Sequence, residues 1–205
     1  MVTQRNRRGV EAEVRIAAIL AAARKLFAER GYTHTSLNDV IARSGGSKAT
    51  ILKYFGSKAG LFSAVIDLAS SKLVLGAQFA DLKGTPEQVL RRFGRLALTL
   101  YLRKDSLVTY RGVVAEGHRH AGMAKAFYER GYGHVKKALA GQLRTWARQG
   151  LVKSVDHDDD ADLFLHMIRA GAYEQVLIGI RPSASVEDFG SRVDRAVRIY
   201  LRGIA

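Results

Sequence analysis

Tyr32-Thr33-His34-Thr35-Ser36-Leu37-Asn38-Asp39-Val40-Ile41-Ala42-Arg43-Ser44-Gly45-Gly46-Ser47-Lys48-Ala49-Thr50-Ile51-Leu52-Lys53-Tyr54-Phe55 holds several helix starts and stops in close succession. Thr35-Ser36 supplies hydroxyls that can cap free backbone amides, so a short helix is expected from Leu37 to Ala42 or Arg43. Ser44-Gly45-Gly46 breaks it, and Ser47 caps the next helix, Lys48 to Phe55. Gly56-Ser57 repeats the device and opens a helix at Lys58 that extends toward Phe79. Two short helices around a glycine-containing tight turn predict a helix-turn-helix. In that arrangement Val40, Ile41 and Ala42 pack against Ile51 and Leu52, leaving Ser47, Lys48, Thr50, Lys53 and Tyr54 outside. Hydroxyls, cations and a phenol are the groups that reach phosphates and base edges in a major groove. Free amides at a helix start add anion attraction at Ser47 and at Ser57-Lys58.

The rest of the chain also reads as helix, giving an all-α expectation. Only Pro86 and Pro182 interrupt it, and no strict apolar/polar alternation persists. Upstream, Val14, Ile16-Ala17-Ala18, Leu20-Ala21 and Leu26-Phe27 form a helical stripe over Val10 to Arg30, closed by Gly31. Downstream, Thr85 caps a helix with Pro86 in its first position. Further helices are expected over Ser106–Gly117, Met123–Gln149, Asp158–Ile180 and Val186–Ile204.

Charge points to the partner. Thirty-three Lys+Arg against nineteen Asp+Glu leave a net +14. Residues 1–60 carry eleven basic and four acidic side chains, so the excess is densest at the head. A polyanion is the natural counterpart, since each neutralised phosphate releases condensed counterions. Arg5, Arg7 and Arg8 are read as an arm tracking the minor groove or phosphates, or equally as a solvated tail. Cysteine is absent, which removes disulfides, thiolate zinc and a cysteine nucleophile. No apolar stretch reaches the roughly 20 residues of a membrane span, and no signal core follows the basic start. A soluble, cytoplasmic chain with no membrane partner is therefore expected.

The head resembles the TetR family of transcriptional regulators. Ile19-Leu20-x-Ala22-Ala23-x-x-Leu26-Phe27-x-x-x-Gly31-Tyr32 is followed by Thr35-Ser36 and Asp39-Val40-Ile41-Ala42. Gly45-x-Ser47-Lys48-x-Thr50 and Tyr54-Phe55-x-Ser57-Lys58-x-x-Leu61-Phe62 complete the set. The resemblance implies a three-helix DNA-binding head joined by a fourth helix to a helical effector-binding and dimerising domain. It implies that Thr35 and Ser36 contact phosphate, that Ser47, Lys48 and Thr50 face the groove or its rim, that Tyr54 reaches phosphate and that Lys58 anchors the backbone. Gly46 replaces the usual aliphatic residue, and Leu52 stands where an aromatic is common. The stretch Arg111 to Gly131 is similar to the C-terminal domains of AcrR- and AefR-like members.

In the last two helices, Val186, Phe189, Val193, Ala196-Val197, Tyr200 and Ile204 form one apolar stripe. Ala161, Phe164-Leu165, Ile168, Ala172 and Leu177-Ile178 form another. These stripes either make a four-helix interface in a homodimer or face the subunit's own core. The resemblance implies that the middle helices enclose a small-molecule effector, with Tyr101, Tyr110, Phe127, Trp146, His166, Arg169 and Tyr173 as candidate lining residues. His166, Arg169 and Tyr173 share one helix face at this spacing. An aromatic at helical spacing is more often plain core. Glu116 and His120 share a face but His118 points away, so no metal is expected. The run Asp156, Asp158, Asp159, Asp160 and Asp162 lacks the glycine and glutamate of a calcium loop and reads as helix capping.

The leading expectation is a homodimeric repressor, released from a palindromic double-stranded operator by a small molecule of unknown identity and needing no cofactor. A constitutive DNA-binding protein is the alternative. A helical-bundle enzyme is disfavoured, since no nucleophile elbow, zinc helix, phosphate loop or dinucleotide fingerprint occurs.

Overall fold

A computed structural model describes residues 4–74, 83–182 and 189–204, and among these no strand occurs. The chain divides into two compact units. One comprises Met1–Leu68 with Val108–Tyr128, and the other comprises Ala69–Leu107 with Glu129–Ala205.

The first unit is built on α1 (Gln4–Arg30), α2 (Leu37–Ser44), α3 (Lys48–Phe55), the first part of α4 (Lys58–Val74), most of α6 (Lys104–Glu116) and α7 (Ala121–Phe127). α1 begins well before Val10, so the backbone of Arg5, Arg7 and Arg8 is helical where the sequence suggested an arm or a tail. Phe79, toward which α4 was expected to run, lies outside the described residues. α2 starts at a full capping box: Ser36 accepts from the Asp39 amide, and the Asp39 carboxylate accepts from the Ser36 amide. Gly45 ends α2 at φ 70° and ψ 14°, donating to the Ile41 carbonyl, a backbone state that costs glycine no Cβ clash. The core gathers Ile19, Leu26 and Phe27 of α1 with Val40, Ile51 and Phe62. Phe27, Tyr32 and Phe62 form a ring triad with centroid separations of 5.3–5.8 Å. Each such side chain taken from water contributes about 1.5–3 kcal/mol. The triad therefore holds the α1–α2 loop against α4.

The second unit contains α5 (Pro86–Tyr101), α8 (Gly133–Arg148), α9 (His157–Arg169), α10 (Ala172–Leu177) and α11 (Gly190–Ile204). Thr85 caps α5 as expected, with Gln88 returning the bond. Asp156 caps α9 by accepting from the Asp159 amide, so the aspartate run opens a helix. Two expected long helices are each broken. A π-helical segment, Tyr128–Tyr132, separates α7 from α8, and the chain turns at Ala170-Gly171 between α9 and α10. α5, α9 and α11 pack on one another, and α8 packs on α9. α5 and α11 approach so closely that a Cβ at Gly94 would lie 2.8 Å from Val193 Cγ1.

Those contacts decide the two apolar stripes. Phe189, Val193, Ala196, Val197, Tyr200 and Ile204 are buried within the unit, as are Ala161, Phe164, Leu165 and Ile168. These residues belong to the subunit's own core, covered by α5 and α8, which favours the second of the two readings for them, whereas Leu177 is half-buried and Ile178 is 68% exposed. Val186 lies outside the described residues, as does the side chain of Ala172. The outward face of α11 carries Arg192, Arg195, Arg198 and Ile199 instead.

Candidate nucleic-acid interface

Ser47 fixes the start of α3: its Oγ accepts from the Thr50 amide at 3.1 Å and lies 2.8 Å from Thr50 Oγ1. The N-terminal end of α3 is thus held in shape while Ser47, Lys48 and Ala49 stay exposed. Lys48 makes no ion pair among the described residues, and Lys53 sits 5.5 Å from the Tyr54 ring centroid. Tyr54 is 43% exposed. Two acids of the head are already matched. Glu29 receives Arg43 at 2.8 Å, which holds its carboxyl below the ordinary range, and Asp39 lies 3.5 Å from Arg30. Neutralised carboxylates beside free lysines suit an anionic partner.

Three expectations need correcting. Thr35 is only 1% exposed, and its hydroxyl donates to the Leu26 and Gly31 carbonyls, so it ties α2 to the end of α1 instead of facing a phosphate. Leu52 was placed in the α2–α3 contact but is 41% exposed, and Ala42 is exposed too. Val40 and Ile51 are fully buried in the core there, with Leu37, Ile41 and Phe55 partly buried against it. One helical turn after Lys48, Leu52 extends the outer face of α3. Sequence reasoning missed it because an aliphatic residue in a short helix reads as core by default. A Cβ at Gly46 would come within 3.3 Å of Ile19 Cδ1, so here Ile19 fills the space an aliphatic residue would take.

Lys58 has an internal role. Its Nζ donates to the Thr33 carbonyl at 3.3 Å and stands 4.3 Å from the Tyr32 ring centroid. Burial lowers its pKa, with Glu116 and Asp39 acting in the other direction. Thr33 is the centre of a polar node: its amide and hydroxyl both donate to Glu116 Oε2, and His120 Nε2 lies 3.1 Å from Oγ1. These bonds hold Glu116 below the ordinary carboxylate range. The shared face of Glu116 and His120 was the available signal, but it gave no hint that a threonine of the head was their target. His118 is exposed, and among the described residues no group of three ligand-type side chains could hold a metal.

The expected effector-lining residues fall into separate groups. Tyr110 and Phe127 stack in the first unit, with centroids 5.5 Å apart and planes 5° from parallel. In the second unit Arg169 lies 5.0 Å from the Tyr101 centroid, 5.1 Å from Tyr132 and 5.8 Å from Tyr173. His166 Nδ1 is 3.3 Å from the Tyr132 hydroxyl, which donates to Asp162 at 2.7 Å. Tyr132 was not among the expected residues; the π-helical segment that positions it has no sequence signature. Trp146 is buried on α8.

Residues 19–65 match the model of bacterial regulatory proteins of the tetR family. Residues 88–203 match the C-terminal domain of AefR-like transcriptional repressors. The HTH-type transcriptional repressor Rv3405c of Mycobacterium tuberculosis (strain ATCC 25618 / H37Rv) is 40% identical over 80 residues, 39% of this chain and 43% of that protein. The chain therefore matches less than half the length of that relative. The HTH-type transcriptional regulator YvkB of Bacillus subtilis (strain 168) is 23% identical over 196 residues, 91% of this chain and 95% of that one. Among solved structures, a TetR-family regulator from Mesorhizobium loti aligns with TM-score 0.79 at 20% identity, covering 95% of this chain and 98% of that one. The flavonoid-responsive regulator FrrA aligns with TM-score 0.73 at 25% identity, covering 93% and 96%. With its head and more than half its length matched by the two family models, this chain belongs to the TetR family of transcriptional regulators.

Proposed function

We propose that the protein is a homodimeric repressor that holds a palindromic operator through two copies of α3 and lets go when a small molecule occupies its C-terminal unit. The exposed, Ser47-capped start of α3 with its unpaired Lys48 carries the reading. Two such helices related by a two-fold axis would enter successive major grooves roughly 34–36 Å apart. Ser36, Ser47, Lys48, Thr50, Lys53 and Tyr54 are the proposed contacts, with Leu52 added for the apolar edge of a thymine. Lys58 is proposed to hold the head's internal geometry. Residues 1–60 would then be the reading head, and 61–205 would bind effector and dimerise.

Burial of the apolar stripes moves the proposed dimer contact to the outer faces of α9 and α11. Leu163 and Ile199 are exposed there at 53% and 51%. For effector release, the support is FrrA, a flavonoid-responsive regulator whose fold covers nearly the whole of this chain. Typical coupling between effector and operator is about 1–3 kcal/mol, and it must act equally on both affinities. α4 and α6 are each continuous across the boundary between the units in sequence, so a change in one unit can reach the other along them.

The test is footprinting of the purified dimer on DNA flanking its own gene, with and without a small-molecule library. A protected two-fold site that one compound releases supports the proposal. A protected site that no compound releases leaves a constitutive DNA-binding protein. No protected site removes the reading head from the account.

A further inference from the structure

Arg169 sits in the second unit among three aromatic rings, and no carboxylate pairs with it among the described residues. Its Nε donates to the Leu165 carbonyl at 3.0 Å, while its two terminal nitrogens have no acceptor among the described residues. The carboxylate of the cluster, Asp162, is engaged elsewhere: it takes the Tyr132 hydroxyl at 2.7 Å and lies 3.4 Å from His166 Nδ1 and 3.9 Å from Lys136 Nζ. Tyr101 adds a second unmet demand. Its hydroxyl is buried and has no hydrogen-bond partner among the described residues, although buried polar groups are nearly always paired. Burial pushes this phenol well above the ordinary tyrosine range, with Arg169 pulling the other way, so it remains a neutral O–H donor.

Ring faces attract a guanidinium but offer no lone pair to its in-plane N–H groups. The partner that fits those groups is a planar oxyanion, which accepts two parallel bonds on the guanidinium edge. The same oxyanion can accept from the Tyr101 hydroxyl. A cationic ligand, which aromatic faces alone would attract, is repelled here by the fixed charge of Arg169. Tyr173 and Tyr101, edge to face at 6.2 Å, supply flat apolar walls beside the charge.

We infer that the effector is an aromatic carboxylate, its oxyanion held by the Arg169 guanidinium and the Tyr101 hydroxyl and its ring set against Tyr101 and Tyr173. This rests on the proposal that the C-terminal unit binds the effector.

The full-length protein is titrated calorimetrically with benzoate, salicylate, cinnamate and 2-naphthoate, and with the primary amide of each. The expected result is saturable binding of at least one carboxylate, with its amide bound at least tenfold more weakly. Tyr101→Phe, which removes only the unpartnered oxygen, should weaken carboxylate binding about tenfold while leaving the unliganded melting temperature unchanged or raised. Arg169→Gln should abolish binding. Carboxylate and amide binding equally, Tyr101→Phe binding as wild type does, or no carboxylate binding at all would each overturn the inference. Operator release separates the two levels of the argument. A neutral or cationic compound that releases operator, with every carboxylate inert, removes this inference but leaves the effector reading standing; release by no compound removes both.

Discussion

Thr33 and Glu116 lie 83 residues apart in sequence and are joined by two hydrogen bonds to a single carboxylate oxygen. Thr33 belongs to the loop that precedes α2, and Glu116 ends α6. The bond therefore makes the end of α6 part of the head's scaffold, within the one compact unit that holds both. Tyr32 and His120 reinforce it with ring centroids 5.3 Å apart.

Glu116→Gln should make the head less stable in a pH-dependent way. The folded carboxyl titrates below its ordinary value, so its contribution is complete above the unfolded pKa and fades as pH falls through the folded one. Thermal melts of wild type and variant should differ above roughly pH 5 and draw together as pH falls below the unfolded glutamate value of about 4.3. Curves that stay parallel across that range would show that the charge of Glu116 contributes nothing to the node.

Lys48→Ala and Tyr54→Ala should weaken operator binding without altering dimerisation. Removing a phosphate-contacting lysine reduces the salt slope of binding by about one. Electrophoretic shift assays at several salt concentrations, with sedimentation for the dimer, check this. If both variants bind as wild type does, the outer face of α3 is not the reading surface.

Neighbouring residues of α3 should behave oppositely. Leu52→Ala removes an exposed side chain and should change stability by no more than about 0.5 kcal/mol, while shifting operator preference. Ile51→Ala opens the α2–α3 contact and should cost about 2–5 kcal/mol. Denaturant unfolding of the two variants makes the comparison, and equal losses would contradict the orientation of α3.

Gly94→Ala should destabilise the second unit by about 1–3 kcal/mol, since the new methyl meets the Val193 Cγ1 methyl at 2.8 Å. Chemical unfolding measures the loss. A variant as stable as wild type would mean that α5 and α11 can part at no cost.

Ile199→Glu adds charge to an exposed position on α11, so the monomer should fold normally. Its dimer should dissociate at concentrations where wild type remains paired. An unchanged dimer would place the interface on another face.

Features set within a few residues were legible in the amino-acid order: the caps at Ser36, Ser47, Thr85 and Asp156, the stop at Gly45 and the charge excess of the head. A hydroxyl three residues ahead of an amide, or a residue without a Cβ at a left-handed turn, acts on its own neighbourhood whatever lies beyond. Tertiary structure decided which side of each helix is covered. Val193 and Val197 meet α5 and α9 of their own subunit, Thr35 turns in to the end of α1, and Leu52 turns out. Periodicity marks an apolar stripe but not what covers it. Only the packed chain brings Arg169 to three tyrosines from separate elements, or Thr33 to Glu116, because side-chain encounters at long sequence separation depend on the whole arrangement of helices.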